Sequence, residues 1–311
     1  MSKHNTDLRR QQLTQFELPD WARLLQYPSD KILHGSYKYV YIYHTEGIAL
    51  SIEENIPEDR LKHRLTLYDM LKDLSNCNVN YPSKTATINK YFIAKLNYCP
   101  MGDLFDNIDK ITDMQTYEDL FRTYYTLHDV GIYHIDVKPE NLLVCNCGGK
   151  IIIAVADIED AITNPWEGKI ITPPGNRLVR TRPYCPYEAL KTGLKYGFSR
   201  DRLAYMDYFA LSLIMLVVYT WTVEGQGAES TDLVYKFQNT GLKNRILKLN
   251  NPPESVKLAK QMFNTDTYFN KLILRKIERF YSPNKEPQKP LIQRVKNYLR
   301  NKFGYVQKLK V

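Results

Sequence analysis

Residues 133–144 read Tyr133-His134-Ile135-Asp136-Val137-Lys138-Pro139-Glu140-Asn141-Leu142-Leu143-Val144. The stretch sets a histidine, a carboxylate, a cation and an amide at fixed offsets in front of an apolar run. Such a loop can present several polar groups to one point while the run behind it anchors the backbone. Pro139 and Asn141 are also ordinary turn formers, so the segment alone has a plain reading as the loop that feeds a strand.

The chain around it has 311 residues, enough for one large domain or two lobes with cores of their own. Hydrophobic residues make up 43%, as in a globular protein. Residues 1–10 are polar and charged, so no secretory signal is expected. The longest apolar run, residues 208–221, is broken by Ser212 and Thr220 and reads as a buried helix rather than a bilayer span. An odd count of five cysteines (Cys77, Cys99, Cys145, Cys147, Cys185) argues for a reducing, intracellular setting rather than a disulfide scaffold. Cys145 and Cys147 are too closely spaced for a zinc site. The net charge of +9 favours acidic partners, and much of the excess lies in residues 289–310. There Leu291, Ile292, Val295, Tyr298 and Leu299 recur at helical spacing, which predicts a basic C-terminal helix packed on the body.

Along the chain, residues 1–29 form a polar extension with apolar anchors at Leu13, Phe16, Leu18, Trp21, Leu24 and Leu25. Val40, Ile42, Ile48, Leu50 and Ile52 alternate with other residues, as in a half-buried hairpin. Residues 57–74 turn helical through Leu61, Leu65, Tyr68, Leu71 and Leu74, and residues 88–96 return to strand. Residues 116–130 predict a helix closed by Gly131, and residues 141–155 a hairpin with its turn at 146–149. Residues 164–176 read as loop, and helices dominate from Asp201 on.

The spacing H-x-D-x-K-x-x-N-L-L resembles the catalytic loop of protein kinases. The resemblance covers roughly residues 30–300 and implies an α+β, bilobal fold: a small β-rich N-lobe at 30–98 and a larger helical C-lobe at 99–311. It implies that Asp136 accepts the substrate hydroxyl proton, that Lys138 contacts the transferring phosphate, and that Asn141 holds magnesium. Asp157-Ile158-Glu159 is similar to the D-F-G magnesium motif with only the Asp kept, so Asp157 becomes the second metal ligand. The run from Thr181 to Glu188 resembles the end of an activation segment. Thr181 would then bond Asp136 and Lys138, and Glu188 would pair with a late basic residue such as Lys289. Asp207 is similar to the Asp that holds the catalytic-loop backbone. Ile135 stands where kinases regulated through that segment carry Arg, so activity is expected not to depend on phosphorylation there.

At the nucleotide end, residues 33–41 resemble the loop G-x-G-x-x-G-x-V with the middle glycine kept as Gly35 and the valine as Val40. Ile48-Ala49-Leu50-Ser51 resembles V-A-I-K, with Ala49 over the adenine and Ser51 in place of the phosphate-binding lysine. Two readings stay open: a pseudokinase, or a cation displaced to Lys38 as in with-no-lysine (WNK) kinases. The acid that would orient that lysine is not identified; Leu67 falls in its place, with Glu54, Glu58 and Asp69 nearby. Residues 96–104 are similar to a kinase hinge: Leu96 as gatekeeper, backbone groups of Asn97 and Cys99 on adenine, Asp103 on ribose, and Leu143 as the adenine floor. The expected function is ATP- and magnesium-dependent (Mg2+) phosphorylation of Ser or Thr hydroxyls in a protein substrate. The alternatives are a pseudokinase scaffold, and a basic nucleic-acid-binding protein on the same fold, whose binding would weaken steeply with salt.

Overall fold

The computed structural model describes residues 11–34, 38–74, 78–163, 184–224, 244–246, 248–264 and 269–282. The β-branched and aromatic runs near the N-terminus form β1 (Lys31–His34), β2 (Lys38–Tyr43) and β3 (Ile48–Glu54). Then come α1 (Glu58–Lys72), β4 (Lys84–Ile88) and β5 (Tyr91–Asn97). The five strands make one antiparallel sheet in the order β1-β2-β3-β5-β4.

Pairing register sorts the side chains onto two faces, because neighbours on a strand point opposite ways. Tyr39 opposes Ile52 and Tyr41 opposes Leu50 on one face. That face is covered by the N-terminal extension: Leu13, Leu18, Ala22 and Leu25 pack with Tyr41, Tyr43, Leu50, Tyr91 and Ile93. Lys38 opposes Glu53, Val40 opposes Ser51, and Ile42 opposes Ala49 on the other face. Of the expected anchors, Leu13, Leu18 and Leu25 pack on the sheet with Trp21 and Leu24 beside them, while Phe16 is exposed.

The rest is mostly helical. After the connector come α2 (Met114–Asp129), β6 (Ile132–Tyr133), the hairpin β7 (Leu142–Cys147) and β8 (Lys150–Val155), and β9 (Ile162–Thr163). Among the described residues, α3 (Tyr187–Tyr196), α4 (Arg200–Glu224), α5 (Glu254–Asn264) and α6 (Lys271–Tyr281) complete it. Asp113 caps α2 by accepting from the Gln115 N–H, and Gly131 at φ 83° ends it. Phe121 on α2 stacks on Tyr208 of α4 and Tyr281 of α6, with centroids 5.9 and 4.5 Å away. The arrangement is α+β, an N-terminal antiparallel sheet followed by helices, as a bilobal kinase-like fold requires.

Among the described residues one helical stretch, Arg200–Val223, is long and apolar enough to cross a bilayer, but 94% of its apolar window is buried inside the fold. It is the central core helix, as residues 208–221 predict.

The connector corrects one expectation. The Leu104 N–H donates to the Leu142 carbonyl (2.7 Å) and the Val144 N–H to the Gly102 carbonyl (2.8 Å), so residues 102–104 run beside β7. That brings the Cys99 and Cys145 Cα atoms to 5.0 Å, and the two form a disulfide across 46 residues. The cysteine count therefore no longer argues for a reducing compartment. The predicted basic helix at 289–310 and the loop at 164–176 lie outside the described residues.

Candidate active site

The loop of residues 134–141 leaves β6 and enters β7 through a 3-10 turn, Pro139–Asn141, with Pro139 at its first position. Asp207 on α4, fully buried, fastens the loop's start. Its Oδ2 accepts from the His134 N–H (2.9 Å) and from His128 Nε2 (2.9 Å), and its Oδ1 from the Ile135 N–H (2.7 Å). Ile135 is held at φ 62°, a left-handed conformation that a β-branched residue adopts only at a cost. The turn it makes aims Asp136.

Asp136, Lys138 and Asn141 converge. Lys138 Nζ lies 3.1 Å from Asp136 Oδ2. Asn141 Nδ2 donates to the Asp136 carbonyl (2.9 Å) and to its Oδ2 (3.2 Å). His134 links this loop to the metal-motif strand: Nε2–H donates to the Ala156 carbonyl (2.9 Å), while Nδ1 accepts from the Asp136 N–H (3.3 Å). In those two bonds Nε2 acts as the donor and Nδ1 as the acceptor.

Asp157 follows Ala156 at φ 54° and opens a 3-10 turn, Ile158–Asp160. Ile158 is buried in the core, the packing role that the phenylalanine of D-F-G would have. Lys38 reaches this turn from β2, with Nζ 2.6 Å from Asp157 Oδ1 and 2.9 Å from Glu159 Oε1. Burial works against the Lys38 ammonium, but the Glu159 and Asp157 carboxylates outweigh it and its pKa lies above the ordinary lysine value. Burial likewise lifts the Asp157 carboxyl, yet Lys38 prevails and holds it below the ordinary carboxylate range.

Helix α1 lies against the same turn, carrying cations rather than the expected acid. Arg64 Nη1 meets Glu53 Oε2 at 2.6 Å, both side chains nearly buried. Arg60 Nη2 donates to both Asp160 oxygens, at 2.9 and 3.0 Å. His63 Nε2 donates to the Ala161 carbonyl at 2.9 Å. Leu67 is fully buried in the core. Of the other candidate acids, Glu54 pairs with Lys90 (2.6 Å), Asp69 pairs with Lys72 (3.1 Å), and Glu58 is exposed. Sequence reading took Glu159 only as a departure from the motif's glycine, and missed its pairing with Lys38 and the Glu53–Arg64 pair. The one available signal was Glu159 itself, a charged residue standing where the motif carries glycine.

Val40 and Ala49 share the Lys38 face of the sheet through their partners Ser51 and Ile42. Leu143 is half-buried on β7, bridged to Asp103. In the connector, the Asn97 carbonyl accepts from Asn80 Nδ2 (3.1 Å) and the Cys99 carbonyl from the Gly102 N–H (3.0 Å). Asp103 accepts from the Asp106 N–H (3.0 Å), and burial raises its pKa. Gly35 and Thr181 lie outside the described residues, as does Lys289, named as the partner of Glu188.

Asn141 and Asp157 carry side-chain oxygens of the kind that could hold a hard cation, on adjoining strand ends joined by the Ala156 N–H to Asn141 carbonyl bond (2.9 Å). Among the described residues no group of three or more His, Cys, Asp or Glu forms a self-sufficient metal cage. The donor set fits magnesium, which binds through one or two protein oxygens and completes its shell with phosphate and water.

No family model matches the chain. It is similar to a Saccharomyces cerevisiae protein named "Probable serine/threonine-protein kinase FMP48", 31% identical over 143 residues, 39% of this chain and 37% of the relative. Over 110 residues it is 34% identical to the maternal embryonic leucine zipper kinase of Xenopus tropicalis, 32% of this chain and 16% of the relative. Over 81 residues it is 30% identical to the serine/threonine-protein kinase ksp1 of Schizosaccharomyces pombe, 22% of this chain and 17% of the relative. The matches span 37% or less of these relatives' own lengths. Over these stretches the chain is similar to proteins named as protein kinases.

Proposed function

We propose that this kinase-like protein transfers the γ-phosphate of ATP to Ser or Thr hydroxyls of a protein substrate, with magnesium. The convergence of Asp136, Lys138 and Asn141 in one loop carries the reading. Phosphoryl transfer needs positioning and charge neutralisation more than covalent help. Asp136 orients the acceptor hydroxyl and takes its proton. Lys138, beside it, balances charge at the transferring phosphate. Asn141 and Asp157 would hold magnesium. Lys38 would contact the nucleotide phosphates in the manner of a displaced lysine, while Val40, Ala49 and Leu143 border the adenine. Bound ATP supplies the phosphoryl group, and magnesium neutralises its charge. The Lys138-Pro139-Glu140-Asn141 form supports Ser/Thr over Tyr specificity. An intracellular setting fits ATP use, and the +9 charge supports acidic partners.

The test is a γ-phosphate transfer assay on a general substrate panel. Asp136→Ala is expected to lower kcat by at least about a hundredfold, and Lys38→Ala to lose most transfer through weaker ATP use. Equal transfer by wild type and Asp136→Ala would sink the proposal. One observation favours a pseudokinase scaffold: Lys38 occupies the Asp157 carboxylate that the metal needs. That reading predicts no transfer by wild type and a thermal shift with ATP that does not depend on magnesium.

A further inference from the structure

We infer that Glu159 positions Lys38 for the nucleotide phosphates, in the role that an acid on the small-lobe helix would otherwise have; the inference rests on Lys38 as the phosphate-binding cation.

The lysine has few anchors available. In the β2–β3 register its direct neighbour is Glu53, close enough to pair. But Glu53 is taken: Arg64 lies 2.6 Å from one oxygen and Arg60 3.8 Å from the other. Helix α1 presents Arg60 and Arg64 here, both engaged with acids, so it offers Lys38 no anchor. The strand–helix ion pair of kinases, a strand cation with a helix acid, is present with its polarity reversed.

Asp157 and Glu159 remain, and they differ. The Asp157 side chain is 52% exposed, and its carboxylate is of the kind that could hold magnesium. The Glu159 side chain is 14% exposed, and its Oε2 is buried with no hydrogen-bond partner. If Asp157 served a metal ion, Lys38 would lose that partner and would lie near a second positive charge. Glu159 then keeps the ammonium neutralised and in place. Its backbone is well suited to this, since each flanking residue is fixed: Ile158 in the core, Asp160 on Arg60, Ala161 on His63. A glycine at 159 would supply the turn but no charge.

The experiment is a double-mutant cycle read by titration with a fluorescent ATP analogue in magnesium, alongside steady-state kinetics. Glu159→Gln and Lys38→Ala are each expected to weaken nucleotide binding and raise the ATP KM about tenfold. The double variant should bind no worse than Lys38→Ala alone. Unchanged affinity in Glu159→Gln, or losses that multiply in the double variant, would overturn the inference. If Glu159→Gln does not fold, Glu159→Asp keeps the charge but shortens the reach. It should lose affinity several-fold in wild type and not in Lys38→Ala; no loss, or a loss that persists without Lys38, overturns the inference. Transfer by wild type with uncoupled variants removes this inference and keeps the kinase reading. Coupled affinity without transfer by wild type does the reverse. A wild type that binds no nucleotide removes both.

Discussion

At Asp207 a single buried carboxylate receives three hydrogen bonds, from His128, His134 and Ile135. These bonds fix the backbone just before Asp136 and so set where it stands. The Ile135 backbone at φ 62° is strained, and the bond from its N–H to Asp207 offsets that strain. An amide at 207 keeps the shape but loses the charge, and turns an NH2 group toward donors. Asp207→Asn is therefore expected to destabilise the protein by about 2–4 kcal/mol, read by urea unfolding. A loss under about 0.5 kcal/mol would show that the loop holds itself. Asp207 was legible in its motif; the strain at Ile135 was not, because a dihedral depends on the partners that hold it.

Helix α1 shows what periodicity resolves and what it leaves out. Recurrence at three and four residues located the helix, yet Leu65 on the expected stripe is 41% exposed while His63 and Arg64 are buried. The helix lies between the sheet and the Asp157 turn, where polar side chains find polar partners, so burial does not follow hydrophobicity there. His63 gives this contact a pH dependence. Burial pushes its pKa below the ordinary histidine value; the Ala161 carbonyl and Asp160 oppose this, and Arg64 and Arg60 add to it. The unfolded chain binds a proton at this site near pH ~6.5, and the folded protein only at lower pH. The unfolded state thus binds more protons in between. Stability from neutral His63 is full above that value and falls as the pH drops toward the folded pKa. His63→Gln, which can still donate to Ala161, should lose less stability than wild type between about pH 7.5 and 5.5. Parallel pH profiles for the two proteins would rule the contribution out.

For the whole molecule, the sheet works because its two faces have different occupants. One carries Lys38, Val40 and Ala49, with Lys38 reaching the Asp157 turn; the other is covered by the extension through Leu13, Leu18 and Leu25. The extension is thus part of the core that holds β2, and with it Lys38, in position. Leu25 is fully buried, so Leu25→Ala is expected to cost about 2–5 kcal/mol in urea unfolding. Leu65→Ala, at a site 41% exposed, serves as the near-neutral comparison. Equal effects of the two would mean that the extension does not support the sheet.

Local order in the chain specified what depends on nearby residues. The spacing of Asp136, Lys138 and Asn141 sets a loop whose groups converge within six positions, and hydrophobic periodicity located the strands and helices around it. Tertiary structure alone decided what depends on distant segments meeting. Lys38 finds Asp157 and Glu159 from 119 and 121 residues away. The same packing reverses the polarity of the strand–helix pair at Glu53 and Arg64, and sets Cys99 against Cys145. Charge pairing acts through space, so a residue's type states what it can bind, and only the fold states which partner comes within reach.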